Sequence, residues 1–225
     1  MAAGYELVEL NGKTLRIKWD PLTRSPLIIK SRNAALLKVE NITAVSKKDI
    51  EKLGGLLVAR YKELFKIEPA QLQLKAAEKV GDTWYVSYWQ TFQGIIIYES
   101  SLGFYIDPEG AIKSVGAVIY PQVEIPDSNK ISRKRALEIA KRQVEDYQEL
   151  GYRLLAESLL IYSKRKSAAV HYYRVYAFNF FPEKATDPAS VVGGWAIFVD
   201  TQTGKVVLKQ TLFKPLGCCL PEPGE

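Results

Sequence analysis

The chain has 225 residues, 47% hydrophobic and 25% charged, with a formal net charge of +6. That balance belongs to a folded chain rather than a disordered one, with room for one large domain or two small ones. A single histidine and two cysteines exclude most zinc-hydrolase chemistry, which takes about three protein ligands, usually with two or more histidines.

The pI near 9.1 allows an acidic partner without requiring one. No apolar run approaches the ~18 residues of a membrane-spanning helix. Met1-Ala2-Ala3-Gly4-Tyr5-Glu6 has no charged-then-apolar signal peptide. The expectation is therefore a chain that stays inside the cell, or one whose signal was removed.

Tyr5 to Trp19 alternates about Asn11-Gly12, a pair suited to a type I′ turn, and predicts a hairpin. Asp20 to Ser31 contains Pro21 and Pro26 and is expected to wrap as an irregular connection. Ala34 to Ile42 gives no decisive pattern. Ser46 opens a helix, with a hydroxyl at the N-cap and Asp49 three residues on. Ile50, Leu53, Leu57, Tyr61 and Leu64 fall on one helical face. Gly54-Gly55 weakens that helix by about 1 kcal/mol per glycine, which suggests close packing against a sheet. Pro69 ends the segment, and Gln71 to Lys79 predicts a short strand.

Trp84 to Tyr120 is the most β-biased stretch of the sequence. Trp84, Val86, Tyr88, Gln90 and Phe92 alternate with Tyr85, Ser87, Trp89 and Thr91, giving a strand with two distinct faces. Gly94 breaks the run, and Asp107-Pro108-Glu109-Gly110 is turn chemistry. Three strands in the middle of an antiparallel sheet are predicted.

After Pro121 and Pro126 the pattern starts again. Ser132 caps a second helix, with Ala136, Leu137, Ala140, Val144 and Tyr147 on its apolar face and Gly151 as its stop. Strands are expected at 154–162, 170–181, 191–200 and 205–213. Phe104-Tyr105-Ile106-Asp107 before Gly110 echoes Ile197-Phe198-Val199-Asp200 before Gly204. The expectation is an α+β protein of two related units, each a helix on a curled antiparallel sheet, with a boundary near Pro121 to Asn129.

Candidate chemistry is sparse. The Asp-turn-Gly loops offer too few oxygen ligands for calcium and are expected to be turns. Lys164-Arg165-Lys166 is placed at a hairpin tip, where charges are solvated. Arg133-Lys134-Arg135 sits at a helix N-terminus, where cations oppose the dipole, a cost that hints at an acidic partner. No nucleic-acid motif accompanies either triplet, and no nucleic acid is expected as partner. Trp84, Tyr85, Tyr88, Trp89 and Phe92 occupy both faces of one strand, so at least one face is core; an exposed remainder would mark a binding face. His171 reads as an ordinary strand residue. Cys218 and Cys219 are neighbours, with Cα atoms only ~3.8 Å apart, and cannot cross-link a core. No Gly-rich phosphate loop, nucleophile elbow or H-E-x-x-H is present. The chain is expected to be no enzyme, with no catalytic residue, cofactor or metal.

Gln90-Thr91-Phe92-Gln93-Gly94-Ile95-Ile96-Ile97, running on to Asp107 and Gly110, resembles the signature of the fungalysin/thermolysin propeptide (FTP) domain. Tyr61-Lys62-Glu63-Leu64-Phe65 is similar to the end of that family's preceding helix. Ile131-Ser132 with Ala136-Leu137-Glu138-Ile139-Ala140, and Trp195 to Val207, resemble the first helix and closing hairpin of a PepSY domain. The order is that of prosegments of thermolysin-like zinc metallopeptidases. The resemblance implies an FTP-like domain over 1–122, a PepSY-like domain over 130–214 and a tail over 215–225, both domains cystatin-like. It implies a secreted inhibitor and folding chaperone that contacts a metallopeptidase catalytic domain, in cis or in trans. The catalytic domain itself is lacking, so excised prosegment, stand-alone inhibitor and a relative released from protease control all stay open. By position, Lys214, Pro215, Leu216, Gly217, Cys218 and Cys219 are the expected partner contact, lying extended in a substrate cleft. A thiolate from either cysteine is chemically suited to the catalytic zinc. The alternative is an extracellular module that binds peptide, cell-wall polymer or a surface partner.

Overall fold

The computed structural model describes residues 4–40, 46–145, 147–183 and 193–212. In chain order the elements are β1 (Glu6–Leu10), β2 (Lys13–Trp19), β3 (Pro26–Ser31), β4 (Leu37–Lys38), α1 (Lys47–Ile50), α2 (Leu53–Arg60), α3 (Lys62–Phe65), β5 (Leu72–Val80), β6 (Thr83–Phe92), β7 (Ile95–Ile96), β8 (Ser101–Ile106), β9 (Ala111–Ile112), β10 (Ser114–Val118), α4 (Arg133–Lys141), β11 (Tyr152–Arg165), β12 (Val170–Pro182), β13 (Gly194–Asp200) and β14 (Val206–Leu212). The architecture is α+β with antiparallel sheets. Two compact units divide it: the described part of Met1–Glu124 with Ile161–Tyr172, and that of Ile125–Leu160 with Tyr173–Glu225.

In the first unit one sheet runs β1-β2-β3-β10-β8-β6-β5, with the short β7 paired to β6. Asn11 and Gly12 both take positive φ (52° and 70°), and the hairpin closes with Leu10 opposite Lys13 as the sequence predicts. β3 departs from the sequence reading. Pro26 opens a strand instead of extending a loop, because a first-position proline forfeits no ladder bond. Ile28 and Ile29 then join β2 to β10. The stretch from Trp84 supplies β6, β8 and β10, the middle of the sheet as predicted, with Val86 opposite Phe104 and Gly103 opposite Gly116.

The helix expected from Ser46 is broken into α1, α2 and α3. Ser46 does cap: its Oγ lies 2.6 Å from Asp49 Oδ2 and accepts from the Asp49 N–H at 3.3 Å. Leu53, Leu57, Tyr61 and Leu64 all reach the core, beside Phe65, Val86, Tyr88 and Phe104. The apolar face was legible although the helix is not continuous.

In the second unit Ser132 Oγ accepts from the Arg135 N–H at 3.2 Å and starts α4. The helix stops at Lys141, six residues short of Tyr147, and the chain continues in turns. Val144 and Tyr147 still pack with Ala136, Ala140, Phe178, Phe180, Ile197 and Val199. The sheet runs β11-β12-β13-β14 in chain order.

A helix is thus followed by a four-strand antiparallel meander twice: β5-β6-β8-β10, then β11-β12-β13-β14. The turns after the third strands are related, the second being one residue longer. Gly110 N donates to Asp107 O at 2.9 Å, and Gly204 N to Asp200 O at 2.9 Å. Asp107 N donates to Ala111 O and Asp200 N to Lys205 O, and both glycines have φ above 70°. Each aspartate also caps its own loop through its side chain. These loops are turns.

Candidate functional site

On the face of the first sheet away from α2 lies an open groove of about 490 Å³. Strand alternation builds it. Leu102, Phe104, Val86, Tyr88, Val115 and Ala117 point into the core, so Ser101, Gly103, Ser87, Ser114 and Gly116 form the outward floor. Gly103 and Gly116 are directly opposite in register. One wall is aromatic: Tyr85 and Tyr105 face each other across the strands, their ring centroids 5.2 Å apart and planes tilted by 44°. Lys75 closes that side, its ammonium 4.0 Å from the centre of the Trp89 ring. Leu27 borders the other side, where the pairing register shifts between Lys18 and Trp19. A bulge of this kind re-aims a side chain.

Of the five aromatics singled out in β6, Tyr88 is core and Trp84 packs against it, Tyr85 and Trp89 are half-buried on the groove face, and Phe92 is half-buried opposite Ile95. Tyr105, 64% exposed, completes the outward set and was not singled out from sequence. Its place opposite Tyr85 follows from the strand pairing.

The signature residues have structural duties. Gln90, fully buried, donates from Nε2 to Tyr120 O and accepts at Oε1 from the Tyr120 N–H, both at 2.8 Å. Gly94 turns the chain at φ 75° between Phe92 and Ile95. At Gly110 a Cβ would come within 2.1 Å of Val39 O.

No family model matches the sequence, and no curated protein matches it. Among solved structures, the Bacillus megaterium YpeB C-terminal domain is similar over 90% of this chain and 77% of its own, at 15% identity and a TM-score of 0.40. An uncharacterized protein from Eubacterium rectale ATCC 33656 is similar over 92% and 76%, at 12% identity and 0.48. Likenesses at this level carry no function to this chain.

The expected partner contact, Lys214 to Cys219, lies outside the described residues. Of the basic triplets, Lys164-Arg165-Lys166 is not simply solvated. Arg165 pairs with Asp20, which is only 2% exposed and also accepts from the Leu22 and Thr23 N–H groups at 2.8 and 3.1 Å. A contact 145 residues away in sequence was invisible to local reading. At the other triplet, Arg133 forms a two-pronged pair with Glu157, at 2.6 Å from Nε and 2.5 Å from Nη2. That pairing offsets the helix-dipole cost that had hinted at an acidic partner. His171 is exposed on β12. Among the described residues no group of His, Cys, Asp and Glu could hold a metal ion, and no helix is long and apolar enough to cross a membrane.

Proposed function

We propose that the chain consists of two cystatin-like units and acts without catalysis, through protein–protein contact, as a prosegment-like inhibitor and folding chaperone of a secreted zinc metallopeptidase. The observation that carries the reading is the repeated unit: a helix, a four-strand antiparallel meander and an Asp-to-Gly turn after the third strand, one residue longer in the second unit. The FTP-like Gln90 to Ile97 lies at the end of the second strand of one meander and the PepSY-like Trp195 to Val207 on the last hairpin of the other; the two correspond in kind at Asp107 with Gly110 and Asp200 with Gly204. Gln90, Gly94, Asp107 and Gly110 are spent on backbone pairing and turns, as expected of a motif that marks a fold rather than a reaction. In this reading the contact with the catalytic domain includes Lys214 to Cys219.

The test is a titration of the chain against thermolysin-like metallopeptidases, beside a version ending at Phe213. Tight inhibition that the shorter version lacks is the expected result. Equal inhibition by both would move the contact from the tail onto the sheets. No inhibition of several such enzymes by folded protein would overturn the reading. The groove of the first unit then favours the second one, an extracellular binding module with no role in proteolysis.

A further inference from the structure

The geometry points to the groove of the first unit as the seat of an extended acidic polypeptide segment, about six residues long where it crosses the sheet. This rests on reading the chain as a protein-binding module and names the chemistry of what one face binds.

The first observation is the glycine pair in the floor. Gly103 and Gly116 lie side by side in the middle of a sheet, where glycine costs about 0.5–1 kcal/mol relative to alanine. Neither takes positive φ. A Cβ on Gly116 would meet nothing nearer than 4.0 Å, and one on Gly103 would make ordinary contacts at 3.5 Å and beyond. Neither backbone conformation nor packing asks for these glycines. With no register shift at either position, such strand glycines fit close approach by a ligand or another backbone.

The second observation is charge. The inner strands β2, β3, β10, β8 and β6 contain no acidic residue. Arg16 and Lys30 are exposed directly opposite each other, an arrangement that destabilises a sheet, and neither has an ion-pair partner among the described residues. Lys75 stands at the other end. From β3 to β5 are four strand spacings, roughly 19 Å at ~4.8 Å each. An extended chain covers that in about six residues at ~3.3 Å per residue. Carboxylates at its two ends would meet Lys30 with Arg16, and Lys75.

The third observation selects peptide over glycan. Sugar stacking needs free ring faces, but Lys75 lies over Trp89 and Tyr85 is half-buried against Tyr105, so of these three rings Tyr105 alone stays open. The half-buried Ser101 and Ser114 hydroxyls are suited to a peptide backbone passing over the two glycines.

Fluorescence anisotropy of labelled octa-glutamate on the full chain at low salt tests this, with octa-glutamine as control and polygalacturonate as competitor. The variants are Gly116→Val, which fills the floor where there is open space, and Arg16→Gln with Lys30→Gln, each checked for an intact unfolding transition. Octa-glutamate should bind, weaken with salt, and lose at least tenfold affinity in both variants, while octa-glutamine does not bind. Absent binding to folded protein, unchanged affinity in both variants, or a polygalacturonate affinity tenfold above that of octa-glutamate would overturn the proposal. Peptidase inhibition is measured on the same variants. Inhibition without octa-glutamate binding sinks the groove and leaves the prosegment reading; binding without inhibition does the reverse.

Discussion

The Tyr88 hydroxyl accepts from the Gly54 N–H at 3.0 Å and donates to Ile50 O at 3.0 Å. Its ring lies where a Cβ on Gly54 would come within 2.6 Å of it. One tyrosine thus ties a central strand to the start of α2 and satisfies backbone groups at the break between α1 and α2. The two adjacent glycines should therefore respond oppositely. Gly54→Ala is expected to destabilise by about 1–3 kcal/mol through overpacking, more than the helix-propensity gain returns. Gly55 has only Pro69 Cβ nearby, at 3.5 Å, so Gly55→Ala should stabilise by up to about 1 kcal/mol. Urea denaturation of the two variants reads the difference; equal effects would remove the role given to Tyr88.

Gln90 is the signature residue with the most at stake. Replacing it by alanine strips partners from both the N–H and the C=O of Tyr120 inside the fold. The expected loss is about 2–6 kcal/mol, from ~1–3 for each of the two buried groups left unpaired. Gln90→Glu puts a carboxyl at a fully buried site: protonated it can still donate to Tyr120 O and accept from its N–H, whereas ionised it turns only acceptors on that C=O, so the variant should lose stability as pH rises. A loss under about 0.5 kcal/mol for the alanine variant would show that water replaces the side chain.

Asp20 and Arg133 separate buried from exposed charge. Burial raises the Asp20 pKa, but Arg165 and the Leu22 and Thr23 N–H groups outweigh it, leaving the carboxyl below its ordinary 3.8. A depressed acid stabilises the fold above its unfolded value and loses that contribution as pH falls through the folded one. Stability should thus drop below about pH 4, less steeply in Asp20→Asn. Arg165→Ala strands a carboxylate that is 2% exposed. With Arg165 itself 40% exposed, solvent tempers the loss to about 1–3 kcal/mol at pH 7. Arg133→Ala breaks a solvated pair and should cost less than Arg165→Ala. The reverse order, measured by denaturant titration, would refute this assignment.

What the sequence disclosed was local chemistry. Asn11-Gly12, Asp107 to Gly110 and Asp200 to Gly204 are turns wherever they occur, because φ and short-range hydrogen bonds decide them. The core faces of α2 and α4 were legible from spacing, whereas their ends were not. Tyr88 binds the start of α2 from 34 residues away, and α4 stops at Lys141 while Val144 and Tyr147 stay in the core. β3 was hidden because Pro26 looks like a breaker until its partners β2 and β10 are known. The groove was hidden for the same reason. Gly103, Gly116 and Tyr105 acquire meaning only from strand register, which no single strand contains.

The alkaline limit of the fold should lie with two phenols. Burial is the main cause at Tyr88, which is pushed up to about 12 although the Gly54 N–H partly opposes the rise. Tyr172 is also raised to about 12, first by burial and then by neighbouring Tyr120. For a raised pKa the protonated, neutral phenol belongs to the folded state. Its contribution is intact below the ordinary value of 10.0 and is lost as pH climbs toward about 12. Stability should therefore fall between roughly pH 10 and 12. Phenolate absorbance in an alkaline titration should rise in two stages, exposed tyrosines first and the buried pair together with unfolding. Tyr88→Phe removes one titrating group and should flatten that decline, while losing about 1–3 kcal/mol at pH 7 for each of the Gly54 N–H and Ile50 C=O it leaves unpaired. If the decline stays as steep in both Tyr88→Phe and Tyr172→Phe, lysine deprotonation rather than the buried phenols sets the limit.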